Sequence, residues 1–284
     1  MRFGVNTWVW VSPLNVDELA QLAPKVKGMG FDWIELPIES TTDLDYPKAA
    51  AIVRDNDLGV SMCAAMGPDR DLIHPEQAIQ DNGMDYIRHC VDACHTIGAT
   101  NLVGPIYSAV GRVWQQTPDE RARDVDLLVK NLSALAMYAG DKGVVLGIEP
   151  LNRFETSFIN IADQVIEVID RVNHPSCKVM LDSFHMNIEE KSLGAAIRKV
   201  GAARLAHFHA CENDRGAPGS GNVTWNEVAQ ALKDIDYDGP VVIESFTNKV
   251  KSIARAAAIW RPFEASQDAL AQNGLAFLKP LLAG

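Results

Sequence analysis

Gly147-Ile148-Glu149-Pro150-Leu151-Asn152-Arg153-Phe154-Glu155 is the stretch on which the reading of this chain turns. The aliphatic run Val144-Val145-Leu146 before it, with Ile148, suits a buried strand. Pro150 has no N–H to give a ladder and holds the preceding residue extended, so the strand is predicted to end on Glu149. The same pattern recurs downstream. Cys177-Lys178-Val179-Met180-Leu181 runs into Asp182, Leu205-Ala206-His207-Phe208 into His209, and Val241-Val242-Ile243 into Glu244. One acid at a strand end often only caps the next helix. Four successive strands ending on oxygen or imidazole ligands suit one divalent ion, provided that the strands are parallel neighbours.

The upstream half supplies the neighbours. Strands are predicted at Arg2–Thr7, Phe31–Leu36, Gly59–Ala65 and Asn101–Gly104, with apolar residues at helical spacing between them, as over Asp17–Met29, Tyr46–Asn56 and Pro75–Ile97. Loops rich in breakers fall at Met66–Leu72 and Pro105–Pro118, followed by a helix over Asp119–Lys142. Downstream helices are expected at Ile161–Val172, Ser192–Val200, Thr224–Ile235, Lys249–Trp260 and Ser266–Leu282. Eight strands alternating with helices, without a break that marks a linker, predict an α/β chain forming a single (β/α)8 TIM barrel over residues 1–284. That fold gathers the loops after the strands on one face, so Glu149, Asp182, His209 and Glu244 converge there. An open doubly wound sheet shares the alternation, but no Gly-x-Gly-x-x-Gly turn follows the first strand.

Composition narrows the partners. The 284 residues are 47% hydrophobic and 22% charged, enough for a sizeable core. Lys and Arg number 26 against 37 Asp and Glu, and the resulting net charge of −11 repels a phosphate backbone. Neither nucleic acid nor an anionic membrane is the expected partner; a small neutral substrate is. The five cysteines are odd in number and lack paired C-x-x-C spacing, so no disulfide framework or structural zinc site is indicated. Met1-Arg2-Phe3-Gly4-Val5-Asn6 runs straight into a strand, and the expected location is a reducing cytoplasm.

Two Glu, one Asp and one His offer a cation three carboxylates and leave positions open for substrate oxygens, a set suited to Mn²⁺, Mg²⁺ or Co²⁺. Without an ion the carboxylates would repel one another. Asp182-x-x-His185 puts an imidazole one turn beyond a ligand, within reach of a substrate hydroxyl or a second ion. His207, two residues before His209, points the same way but deeper, as a structural residue. Arg215, in a Gly/Pro-rich loop, can pair with substrate oxygen or orient a carboxylate, and Glu155 can do similar work. Trp114 and Phe246 are candidates for an apolar wall around a sugar.

Ile148-Glu149-Pro150-Leu151-Asn152-Arg153-Phe154-Glu155, Leu181-Asp182-Ser183-Phe184-His185-Met186-Asn187, His207-Phe208-His209 with Glu212 and Arg215, and Val242-Ile243-Glu244-Ser245-Phe246 resemble the motifs of the ketose 3-epimerases. These are the D-tagatose 3-epimerases and D-psicose (D-allulose) 3-epimerases, within the xylose-isomerase-like barrels. The resemblance implies that Glu149, Asp182, His209 and Glu244 hold one divalent ion, Mn²⁺ or a substitute. It also implies that Glu155, His185 and Arg215 contact the O1 to O3 end of a ketose, and that the chain assembles as a homodimer or homotetramer. Asn6-Thr7-Trp8 departs from the family, which often has a tyrosine at the end of the first strand.

Epimerising a ketose at C3 means removing a proton beside a carbonyl and returning one to the opposite face. Glu149 and Glu244 are the expected proton carriers, exchanging base and acid roles across an enediolate. An aldose–ketose isomerase of the hydroxypyruvate isomerase type would use the same ion and acids between C1 and C2. A nuclease of the AP-endonuclease type needs additional histidines, where the third and fourth strands end in Ala64-Ala65 and Gly104-Pro105. A non-catalytic sugar-binding barrel leaves two glutamates on a metal unexplained.

Overall fold

The computed structural model describes residues 1–282. Strand β1 (Arg2–Asn6) passes through a 3-10 turn (Thr7–Val9) to helix α1 (Val16–Gly28), followed by β2 (Trp33–Ile38), α2 (Tyr46–Asp55) and β3 (Gly59–Ala64). Then come α3 (Gln77–Ile97), β4 (Asn101–Gly104), α4 (Pro118–Asp141), β5 (Val145–Ile148) and α5 (Ala162–Val172). Strand β6 (Cys177–Asp182) leads into α6 (Ser183–Glu189) and α7 (Leu193–Arg204), and β7 (Leu205–Ala210) into α8 (Trp225–Asp234). Strand β8 (Pro240–Ile243), α9 (Lys251–Ala256) and α10 (Gln267–Leu282) complete the described chain. Among the described residues the strands close in chain order into one parallel barrel, with β8 pairing back to β1 from Arg2↔Pro240 to Val5↔Ile243. The eightfold barrel expected from the alternation is the fold observed.

Local chemistry sets the helix ends. Asn15 and Glu18 form a reciprocal capping box at the start of α1, as do Thr117 and Glu120 at the start of α4. Helix α3 stops at Gly98, whose φ of 84° is the left-handed cap that a residue with a Cβ resists. The second strand begins two residues later than expected, since its pairing with β1 starts at Gly4↔Trp33. It also continues through Pro37, which pairs with Cys63 of β3 but lies past the end of β1 at Asn6↔Glu35, where that neighbour's ladder has stopped. The helix expected over Lys249–Trp260 is only the short α9, and α6 was not foreseen as a separate element.

The inside of the barrel is layered. At the N-terminal end of the strands Trp33 fills the interior, and two glycines give it room. A Cβ on Gly59 would lie 1.9 Å from Trp33 Cε3, and one on Gly4 would lie 2.9 Å from Trp33 Cβ. Above Trp33, Cys63, Val103 and Met180 form a small apolar cluster against which Trp8 packs. Gly59→Ala is therefore expected to destabilise the barrel by about 1–3 kcal/mol through overpacking. An unchanged denaturant midpoint would show that Trp33 does not need that space. Among the described residues no helix is long and apolar enough to cross a membrane.

Candidate active site

The site forms where the strand ends meet. Asp182 is the last residue of β6 and stands in register with His209 of β7, while Glu149 and Glu244 directly follow β5 and β8. The strand repeat of two turns these side chains into the barrel mouth. Ligand atoms of Asp182, His209 and Glu244 lie within 4.8 Å of one another, as do those of Glu149, Asp182 and His185. Asp182 belongs to both groups, so the structure gathers all four expected ligands, all buried, around it.

Their charges conflict. Burial pushes the Glu149 carboxyl well above its usual range, and Asp182 and Glu244 push it further. Burial also raises Asp182, outweighing the Arg215 charge beside it. The same burial acts on Glu244, but His209 and Arg215 outweigh it and hold this carboxyl below its ordinary value. Arg215 Nη1 donates to Asp182 Oδ2 and to Glu244 Oε2, each at 2.8 Å. Its guanidinium lies 3.9 Å from the centre of the Phe184 ring, with Phe246 further off at 5.2 Å.

Arg215 sits there because its loop is tied down. Glu212, buried, accepts from the backbone N–H groups of Asn213, Gly219 and Val223 at 3.1, 2.8 and 2.9 Å, and from Trp225 Nε1 at 2.9 Å. Arg215 itself has a left-handed φ of 67°, and its carbonyl accepts from Ser245 Oγ at 2.7 Å. An amide at position 212 would turn a donor toward this ring of donors. Glu212→Gln is expected to cost about 1–3 kcal/mol, read from chemical denaturation; no loss would mean that the loop is held otherwise.

Two histidines have defined hydrogen-bond roles. The backbone N–H of Asn152 donates to His185 Nδ1 at 3.0 Å, so a neutral ring carries its proton on Nε2, 3.7 Å from Glu149 Oε1; Arg215 Nη2, 3.2 Å from that nitrogen, is itself a donor and makes no hydrogen bond to it in this tautomer. Burial, with the positive charges of Arg215 and His209, pushes His185 well below its ordinary value and keeps it neutral. Asn152 Nδ2 also donates to Glu155 Oε1 at 2.8 Å, which holds that carboxyl at the cavity rim. His209 donates from Nε2 to Glu35 Oε1 at 2.6 Å. Its Nδ1 faces Glu244 Oε1 at 3.5 Å and has no hydrogen-bond partner among the described residues.

Glu35 is the residue that sequence reasoning missed. It is fully buried on β2, where Asn6 Nδ2 and Ser61 Oγ donate to it at 3.0 and 2.8 Å, and His207 Nε2 lies 3.0 Å away, out of line for a hydrogen bond. Burial opposes its charge, but His209 and His207 outweigh that and hold it ionised, well below the usual range. Burial opposes charge on His209, but Glu35 and Glu244 outweigh it and hold the ring protonated, well above its ordinary value. A cation that took the place of the Nδ1 proton would find there a lone pair aimed at Asp182 and Glu244, with the Glu35 carboxylate behind the ring. Three buried carboxylates in conflict and one unpartnered imidazole nitrogen form a donor set that can hold a divalent cation.

The cavity above has a volume of about 170 Å³ and is lined by Glu149, Glu155, His185, His209, Arg215 and Glu244, with apolar side chains opposite. Phe246 joins that wall as expected, together with Trp8, whose ring centre is 5.4 Å from it. Trp114 does not. Its backbone N–H donates to Ser157 Oγ at 2.9 Å, and its ring stacks on Phe158 at 6.0 Å beneath the Arg112 guanidinium. It lines a separate surface depression, which corrects the expectation that it touches the sugar.

Acids and a carboxylate-backed histidine thus meet at the C-terminal mouth of a closed parallel barrel, the face on which barrels of this kind carry their active sites. The family profile described as Xylose isomerase-like TIM barrel matches residues 23–281. The D-psicose 3-epimerase of Agrobacterium fabrum is 33% identical over 100% of both chains, and that of Ruminiclostridium cellulolyticum is 31% identical over 94% of this chain and 92% of its own. The solved structure of D-allulose 3-epimerase from Methylomonas sp. in complex with D-allulose is 28% identical and superposes with a TM-score of 0.91, over 99% of this chain and 96% of that one. The chain belongs to the xylose isomerase-like TIM barrel family and, within it, to the sugar epimerases, a kind of isomerase.

Proposed function

We propose that this protein is a metal-dependent ketose 3-epimerase, interconverting free ketohexoses and ketopentoses of the D-tagatose, D-psicose and D-fructose type at C3. The observation that carries the reading is the acid cluster around Asp182 beneath a sugar-sized cavity, in a chain alignable end to end with ketose 3-epimerases. Glu149, Asp182, His209 and Glu244 would hold one divalent ion, Mn²⁺ with Co²⁺ or Mg²⁺ as substitutes. When bound, the ion supplies positive charge that stabilises the negative charge developing on neighbouring sugar oxygens.

The chain's own residues do the rest. One of Glu149 and Glu244 takes the proton from C3 while the other returns one to the opposite face, and the roles reverse with the starting epimer. His185 Nε2–H donates to a sugar oxygen, Glu155 accepts from a hydroxyl, and Arg215 holds Asp182 and Glu244 while facing the substrate. A homodimer or homotetramer working in the cytoplasm is the setting that fits this reading.

Turnover in deuterated water tests it: label at C3 of D-fructose or D-psicose supports epimerisation. Label confined to C1 or C2 would transfer the protein to the aldose–ketose isomerases. Metal removal has a separate readout. Mn²⁺ at about 100 times its dissociation constant is expected to add about 2.7 kcal/mol to the chelated protein's stability. A melting temperature indifferent to Mn²⁺ would contradict the site.

A further inference from the structure

The cavity is divided by strand. Every charged or imidazole side chain that lines it comes from β5 to β8 and the segments after them: Glu149, Glu155, His185, His209, Arg215 and Glu244. The earlier strands and their loops contribute Trp8, Cys63, Ala65, Pro105 and Val110, and the segment after β8 adds Phe246 and Ile253. Among the described residues of this apolar half, the indole N–H of Trp8 is the one strong side-chain donor, and it is already engaged. It donates to Glu39 Oε1 at 2.8 Å, and Ser12 Oγ holds the same oxygen at 2.7 Å.

Asn6, at the end of β1, is committed as well. Its Nδ2 donates to Glu35 Oε1 at 3.0 Å and to Cys63 Sγ at 3.2 Å, and its Oδ1 accepts from the Trp8 backbone N–H at 2.8 Å. A ketose anchored by its carbonyl end against the acids extends its remaining carbons into this half. A terminal hydroxyl there loses water and finds, among the side chains that line this half of the cavity, no oxygen or nitrogen free to replace it, whereas a methyl group gains contact with Trp8, Val110 and Ile253.

We propose that the preferred substrate is a 6-deoxyketohexose, a ketose whose far carbon is a methyl group. The inference rests on the C3-epimerase reading and adds to it the identity of the distal group. The test compares pairs that differ only at O6, D-fructose with 6-deoxy-D-fructose and D-psicose with 6-deoxy-D-psicose. The Mn²⁺-loaded enzyme is followed by deuterium uptake at C3, with dissociation constants from calorimetric titration. Both kcat/KM and affinity are expected to favour the 6-deoxy partner by about 10-fold or more, within what an apolar pocket achieves against an added hydroxyl. Val110→Thr, which puts a hydroxyl on the wall at nearly unchanged volume, is expected to narrow the gap. Parent sugars that match or exceed their deoxy partners in both measurements overturn the proposal. Absence of label at C3 in all four sugars would overturn the epimerase reading, and the affinities would still decide the methyl preference.

Discussion

Glu149→Gln and Glu244→Gln are each expected to lower kcat for proton exchange at C3 by about 10²- to 10⁴-fold, the usual contribution of a positioned acid or base. Glutamine keeps the volume and an acceptor oxygen at each position but cannot carry the proton. Because both side chains also belong to the proposed metal set, the comparison needs saturating Mn²⁺, so that weakened binding is not read as lost chemistry. The two variants differ electrostatically. Glu149 lies in the more repulsive surroundings, pushed up by burial and by two neighbouring carboxyls, while Glu244 is steadied by His209 and Arg215. Full turnover in either variant would remove that residue from the proton path.

Glu35→Gln is expected to weaken Mn²⁺ binding by about 10- to 100-fold, although residue 35 is outside the proposed ligand set. The carboxylate accepts from His209 Nε2 at 2.6 Å and thereby fixes which ring nitrogen is left for the ion. An amide there can present its N–H to the ring and favour the other tautomer, with the proton on the nitrogen that faces Asp182 and Glu244. Glu35→Asp keeps the charge and is expected to recover part of the affinity. If calorimetry finds Mn²⁺ binding unchanged in Glu35→Gln while the barrel stays folded, the carboxylate serves packing alone.

The barrel was legible because strand endings repeat in the sequence: Pro150 after Glu149 and the parallel runs into Asp182, His209 and Glu244 need no tertiary information. Glu35 was harder to see, since an acid in a strand normally reads as the solvent face of an alternation. The signal was available in Trp33-Ile34-Glu35-Leu36-Pro37-Ile38, where a charge interrupts a strand apolar on both faces. A barrel strand has no solvent face on its inner side, so such a charge must find partners. Trp114 went the other way. It lies in an irregular loop, where no periodicity tells inward from outward, and contacts distant in sequence, Ser157 and Phe158, decide its direction. Trp8, part of the visible departure Asn6-Thr7-Trp8, reaches the cavity wall through the 3-10 turn after β1 and the pull of Glu39 on its indole.

Arg215 was legible in sequence as a cation in a Gly/Pro-rich loop that can pair with a substrate oxygen or orient a carboxylate, but what holds it in place was not. Its precise aim comes from Glu212, which gathers four donors from residues up to thirteen positions away and is invisible to short-range pattern reading.

Anomalous diffraction from crystals grown with Mn²⁺ addresses the central claim most directly, because the manganese position is seen independently of turnover. The account predicts one strong peak within coordinating distance of Glu149, Asp182, His209 Nδ1 and Glu244. A peak bound elsewhere, or no peak in this cluster at saturating Mn²⁺, would contradict it.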